Sequence, residues 1–141
     1  MVVKTVVHFE IPAQDVERLS KFYSDVFGWK FEKQAMGGMD YWSITTGPRR
    51  RSVGGGMYKK QMDMEMPRNY IGVDKIDDAI AAFTSAGGKQ AVEKMEVPGF
   101  GWSYIGIDPE GNAIGLFEAV TRRQAHKEKR AVKKAARKSK R

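Results

Sequence analysis

Apolar and polar residues alternate from the start of the chain. Val3, Thr5, Val7, Phe9 and Ile11 fall on one side of an extended segment, and Lys4, Val6, His8 and Glu10 on the other. The period then lengthens: Val16, Leu19, Phe22, Tyr23 and Val26 recur at helical spacing, predicting a helix over about Ala13 to Phe27 that Gly28 stops. Three strand-like runs follow at Lys30 to Gln34, Asp40 to Thr46 and Ser52 to Lys59, separated by the turn signals Gly37-Gly38 and Gly47-Pro48.

The second half repeats this order. Arg68 to Val73 reads as a strand and Ile76 to Ala86 as a helix ended by Gly87-Gly88. Gln90 to Met95, Gly101 to Ile107 and Ala113 to Ala119 then read as strands, the last two joined by the turn Asp108-Pro109-Glu110-Gly111-Asn112. The chain is βαβββ written twice. The starts of the halves superpose at an offset of about 62, His8 on Tyr70, and the final strands at about 60, Gly55 on Gly115 and Tyr58 on Glu118. The linker between them, Lys59 to Pro67, carries Met62, Met64 and Met66, read as soft filling in a connector.

Each unit has one sheet face under a single helix, so the predicted fold class is α+β, with helices outside and a curved eight-stranded mixed sheet around a cleft. The folded domain spans residues 1–120, with repeats at about 1–60 and 67–120, and residues 121–141 form a basic tail, flexible or helical. Strand parity places His8, Tyr58, Tyr70 and Glu118 toward the cleft, with Gly54, Gly56 and Gly72 leaving room for a ligand.

Composition sharpens this picture in two places. The 141 residues include no cysteine, which excludes disulfide scaffolds, cysteine-rich zinc sites and thiol nucleophiles and fits a reducing, cytoplasmic setting. The formal net charge of +8 is not a property of the domain: from Thr121 onward there are eleven Lys and Arg against Glu128, so the tail holds +10 and residues 1–120 hold −2. No secretory or membrane-spanning segment is read in the chain, and no membrane partner is expected. A basic arm of this kind binds polyanions by counterion release, so nucleic acid or an acidic protein is its expected partner, with a purely solubilising role as the alternative; the missing aromatic residues argue against stacking on bases.

The stretches VVHFEIPAQDVERLSKFYSDVFGWKFEK and WSYIGIDPEGNAIGLFEA resemble the vicinal oxygen chelate superfamily, which contains glyoxalase I, extradiol dioxygenases and bleomycin-resistance proteins; the likeness covers residues 3 to 120. It implies a small-molecule ligand in the cleft, a homodimer, and in enzyme members glyoxalase-like lyase or dioxygenase chemistry. Metal-using members take His and Glu ligands from four cleft positions, which carry over here to His8, Tyr58, Tyr70 and Glu118. Two match the ligand types; tyrosine is a poor ligand for a divalent metal because a phenol has an unperturbed pKa of about 10. Glu10, on the face of His8, is a possible third ligand.

His8 and Glu118 are therefore expected either as metal ligands or as a catalytic base and its orienter. Tyr58 and Tyr70, joined by Tyr41, Trp102 and Tyr104 from neighbouring strands, are the expected ligand-binding residues, since phenols donate hydrogen bonds and present apolar faces. Pro98 to Trp102 is read as a flap over the cleft. A P-loop, a dinucleotide fingerprint and a nucleophile elbow are absent from the sequence.

Overall fold

A computed structural model describes residues 4–36 and 38–138. Its elements are β1 (Val6–Ala13), α1 (Val16–Phe27), β2 (Lys30–Met36), β3 (Met39–Thr45), β4 (Gly55–Lys59), β5 (Arg68–Gly72), α2 (Ile76–Ser85), β6 (Lys89–Val97), β7 (Gly101–Ile107), β8 (Ala113–Ala119) and α3 (Arg122–Lys138). The expected α+β architecture of two βαβββ repeats is present, as one curved eight-stranded mixed sheet in the order β2-β3-β4-β1-β5-β8-β7-β6. First and last strands of each repeat run parallel, β1 with β4 and β5 with β8. At the centre β1 and β5 pair antiparallel, so the repeats join within one chain.

Local chemistry explains where the elements begin and end. α1 starts at Val16 rather than Ala13 because Asp15 caps it: its side chain accepts from Arg18 N–H at 3.0 Å, while its own backbone stays extended. Gly28 ends the helix in the left-handed conformation, at φ 69°. The strand read from Ser52 begins only at Gly55, because Arg51 N–H closes a turn on the Pro48 carbonyl. The opening strand begins at Val6; Val2 and Val3, the Gly37 turn signal, and Lys140 and Arg141 of the tail lie outside the described residues. Met62, Met64 and Met66 are exposed, so they fill no gap in the core.

Residues paired across neighbouring strands project to the same face of a sheet, so the register sorts the side chains. One face is covered by helices and holds two apolar clusters. Ile44 and Met57, with Phe9, Ile11 and Trp42, pack on Val16, Leu19 and Tyr23 of α1; Leu116, Tyr104 and Ile71 pack on Ile76, Ile80 and Phe83 of α2. The opposite face is the cleft. Across it the register runs from Tyr41 and Tyr58 through Glu10, His8, Arg68 and Tyr70 to Gly115, Phe117 and Ile105.

Candidate functional site

The β1–β5 pairing builds the centre of the cleft by setting His8 opposite Tyr70 and Glu10 opposite Arg68. The Arg68 guanidinium donates to Glu10 Oε1 from Nη2 at 3.3 Å and from Nε at 3.4 Å, and Nε also donates to Tyr70 Oη at 3.0 Å. It lies 5.4 Å from the Tyr58 ring centroid and 5.8 Å from that of Tyr70, within cation–π range of both. The ion pair is largely enclosed, its side chains 19% and 10% exposed for Arg68 and Glu10. His8 Nε2 shares a 2.8 Å hydrogen bond with Tyr41 Oη, and the His8 and Tyr70 rings meet edge to face at 5.6 Å.

Electrostatics follow from this enclosure. Burial lowers the His8 pKa from 6.5, with Glu10 pulling the other way, so the imidazole is neutral at pH 7. Burial and then Glu10 push the Tyr41 and Tyr70 phenols up, away from ionisation; Tyr58 is also raised by burial, against the opposing charge of Arg68. Burial alone would lower Arg68, but Tyr70 and Glu10 outweigh it and hold the guanidinium charged. The Tyr58 hydroxyl is buried without a hydrogen bond of good geometry among the described residues.

The His8 shift has a measurable consequence. A base whose folded pKa is depressed takes up its proton first in the unfolded chain, so stability should fall as pH drops through about 6.5 and level off below the folded value. Denaturation midpoints measured between pH 8 and pH 5 should decline less in His8→Gln than in the parent; equal declines would remove His8 as the cause.

Three expected site residues are not brought to this cluster. Glu118 Oε2 accepts from the Ile76 backbone N–H at 2.8 Å, at the start of α2. It alternates with Leu116, which packs under α2, and so lies on the helix side of the sheet. Tyr104 pairs with Leu116 and is buried in the same cluster, its ring edge-on to Phe83. Trp102 pairs with Glu118 on that face, under Lys94 Nζ at 4.9 Å. The reason is register. Gly115, not Glu118, is the cleft-facing residue beside Tyr70, and the repeats' final strands superpose at an offset of 61, which puts Ala119 where the first repeat has Tyr58. A slip of one residue turns every side chain to the other face.

In its actual place Glu118 does structural work. The N-cap of α2 is Lys75, whose side chain supplies no acceptor, and the Glu118 carboxylate satisfies a first-turn N–H at the positive end of the helix. Glu118→Ala should cost about 1 kcal/mol in urea unfolding while leaving cleft binding unchanged; a lost ligand with unchanged stability would reverse this assignment.

The cleft glycines are also used differently from expectation. A Cβ at Gly56 would collide with the Tyr41 hydroxyl, one at Gly115 with the Tyr70 ring, and one at Gly72 with Val7. Tyrosine rings, rather than an open space, take up much of this room. The segment from Pro98 is a short hairpin turn, tied by Phe100 N–H to the Val97 carbonyl and by Val120 N–H to the Phe100 carbonyl, each at 2.9 Å. A surface depression of about 480 Å³, lined by residues including Asp15, Arg18, Phe22 and Lys60, contains none of the cluster, and its Asp15 carboxylate is already the α1 cap.

The metal set implied by the family does not fit these residues. Glu118 faces away, Glu10 is engaged by Arg68, and His8 Nε2 by Tyr41. Among the described residues no group of three or more His, Asp or Glu could hold a metal ion, and a divalent cation in the cluster would meet the fixed charge of Arg68.

Glu10 and Arg68 are the members of the cluster that strand patterning underrates. Each shares a parity with a chosen residue, Glu10 with His8 and Arg68 with Tyr70. Only the antiparallel register of β1 on β5 makes them a pair.

Comparison with known proteins agrees with the fold. A family model described as bleomycin resistance protein-like N-terminal matches residues 5–47. A glyoxylase-like domain-containing protein from Didymella fabae is 39% identical over 117 residues, covering 76% of this chain and 88% of its own. Among solved structures, methylmalonyl-CoA epimerase from Mycobacterium tuberculosis superposes with a TM-score of 0.64 at 15% identity, over 86% of this chain and 94% of its own. A glyoxalase/bleomycin resistance protein/dioxygenase superfamily member from Vibrio splendidus 12B01 gives 0.60 at 13%, over 82% and 99%. At such identities the structural likeness is one of fold. With the paired βαβββ repeats and the 39% identical relative together, the chain belongs to the glyoxalase/bleomycin-resistance/dioxygenase superfamily.

Proposed function

We propose that the chain binds a small organic molecule on the cleft face of its sheet, with an oxygen of that molecule taken by Arg68 and the Tyr58 hydroxyl and without a metal ion. The observation that carries this is the Arg68 guanidinium, held charged between Glu10, Tyr58 and Tyr70 with no hydrogen bond from Nη1 to the described residues. Tyr58 adds a buried hydroxyl whose near neighbour, Arg68, is not well aligned for a hydrogen bond, a group costly to leave unpaired. His8 and Tyr41 close one side, and all of these residues come from one chain.

Thermal shift and calorimetry against small aromatic and carbonyl compounds test this reading. Stabilisation should persist in EDTA and weaken in Tyr58→Phe and Arg68→Lys. Binding or turnover that appears only with an added divalent metal would replace it with a metal-dependent lyase or dioxygenase.

A second reading concerns α3. At about 100° per residue, its nine Lys and Arg all fall within about half of the helix circumference, and Ala125, Ala131, Val132, Ala135 and Ala136 share the other half. Small side chains bury too little to insert into a membrane, whereas a continuous basic face suits the phosphates of a nucleic-acid duplex. Removing residues 122–141 should abolish salt-sensitive binding to duplex RNA or DNA; unchanged affinity would overturn it.

A further inference from the structure

The cleft's charge balance bears on what kind of molecule it accepts. Arg68 contributes one positive charge and Glu10 cancels it through a single carboxylate oxygen. His8 is neutral and the tyrosines are held protonated. Among the described residues no second Lys or Arg forms an ion pair with the cluster; Glu65 adds a negative field at Tyr58, and farther out on the same face β2 presents the exposed Lys30 and Glu32, which offset one another. Hydrogen-bond donors are therefore available at the centre without any net positive charge.

The two walls differ in polarity. The first repeat supplies Gln34, Tyr41, Ser43, His8 and Glu10 to the cleft face. On the second, the register aligns Phe117, Ile105, Val92 and Met95 around Ser103, with Lys89 at the outer end and Val92 and Met95 exposed. A ligand spanning both would set an oxygen at Arg68 and an apolar body against the second wall.

We infer that Glu10 determines ligand class: by neutralising Arg68 on the cleft face, it makes the site select an uncharged carbonyl compound with an aromatic or branched apolar body over the corresponding carboxylate. This rests on the reading of the cleft as the ligand site. A carbonyl oxygen needs only donors, which Arg68 Nη1 and Tyr58 provide. A carboxylate would compete with Glu10 for the guanidinium and be held beside it, where two like charges in a weakly screened interior repel strongly.

Acetophenone and benzoate, matched in ring and differing in charge, are the probes. Titration followed by protein NMR should show benzoate binding the parent at least about tenfold more weakly than acetophenone, a charge effect within reach of a partly screened contact. Glu10→Gln frees the Arg68 charge and should reverse the order. Its folding is checked by circular dichroism; if it does not fold, the charge-neutral double variant Glu10→Gln/Arg68→Gln should keep the preference for acetophenone at lower affinity. Equal binding of both probes by the parent, or an unchanged order in Glu10→Gln, overturns the role of Glu10 and leaves the cleft reading standing. If neither probe binds, both fall.

Discussion

Arg68→Met is expected to destabilise the protein by about 3–5 kcal/mol, the cost of leaving a buried charge without its partner. Glu10 is 8% exposed, and Arg68 is the cation that meets its carboxylate. Methionine approximates the length of the arginine stem and removes the charge, so the loss is electrostatic rather than a cavity. The double variant Arg68→Met/Glu10→Gln should recover most of it, because neither member is then an unpaired ion. Urea unfolding of the parent, both single variants and the double variant closes the cycle. Equal losses in Arg68→Met and the double variant would show that the pair is not coupled. Cleft binding should be absent in Arg68→Met even where the protein remains folded.

Gly115→Ala is the second large effect. The added methyl would enter the space of the Tyr70 ring, whose hydroxyl is fixed by Arg68. The ring cannot withdraw without giving up that hydrogen bond, so overpacking should cost about 1–3 kcal/mol and weaken ligand binding together with stability. In a Tyr70→Leu background the same substitution should cost less, with a coupling above about 0.5 kcal/mol. Purely additive losses would mean that the ring does not occupy the glycine's space.

These expectations centre on residues that patterning ranked unevenly. Amphipathic spacing located both helices, because burial of one helix face imposes a period near 3.6 whatever the helix packs against. Asp15 then trimmed the start of α1 by local hydrogen bonding, while Gly28 ended the helix where its backbone freedom predicts. His8, Tyr58, Tyr70 and Tyr41 were legible as cleft residues because they sit on strands whose alternation is unambiguous near the centre of the sheet. Glu118, Trp102 and Tyr104 were not, because the last hairpin was aligned on the first repeat one residue out of step.

By itself the sequence determined that this chain folds as two βαβββ units and that its positive charge is concentrated beyond Thr121. Periodicity, turn residues and charge segregation are local properties, and each is readable from a short window. It also identified the superfamily, through the paired motifs at either end of the domain. What only the tertiary structure decided was which face each strand presents and which residues meet across the repeat junction. Pairing Glu10 with Arg68, turning Glu118 to the N-terminus of α2 and laying Tyr70 over Gly115 all depend on the registers of β1 with β5 and of β5 with β8. Register is set by contacts between segments distant in the chain, and one step of it exchanges the cleft for the core.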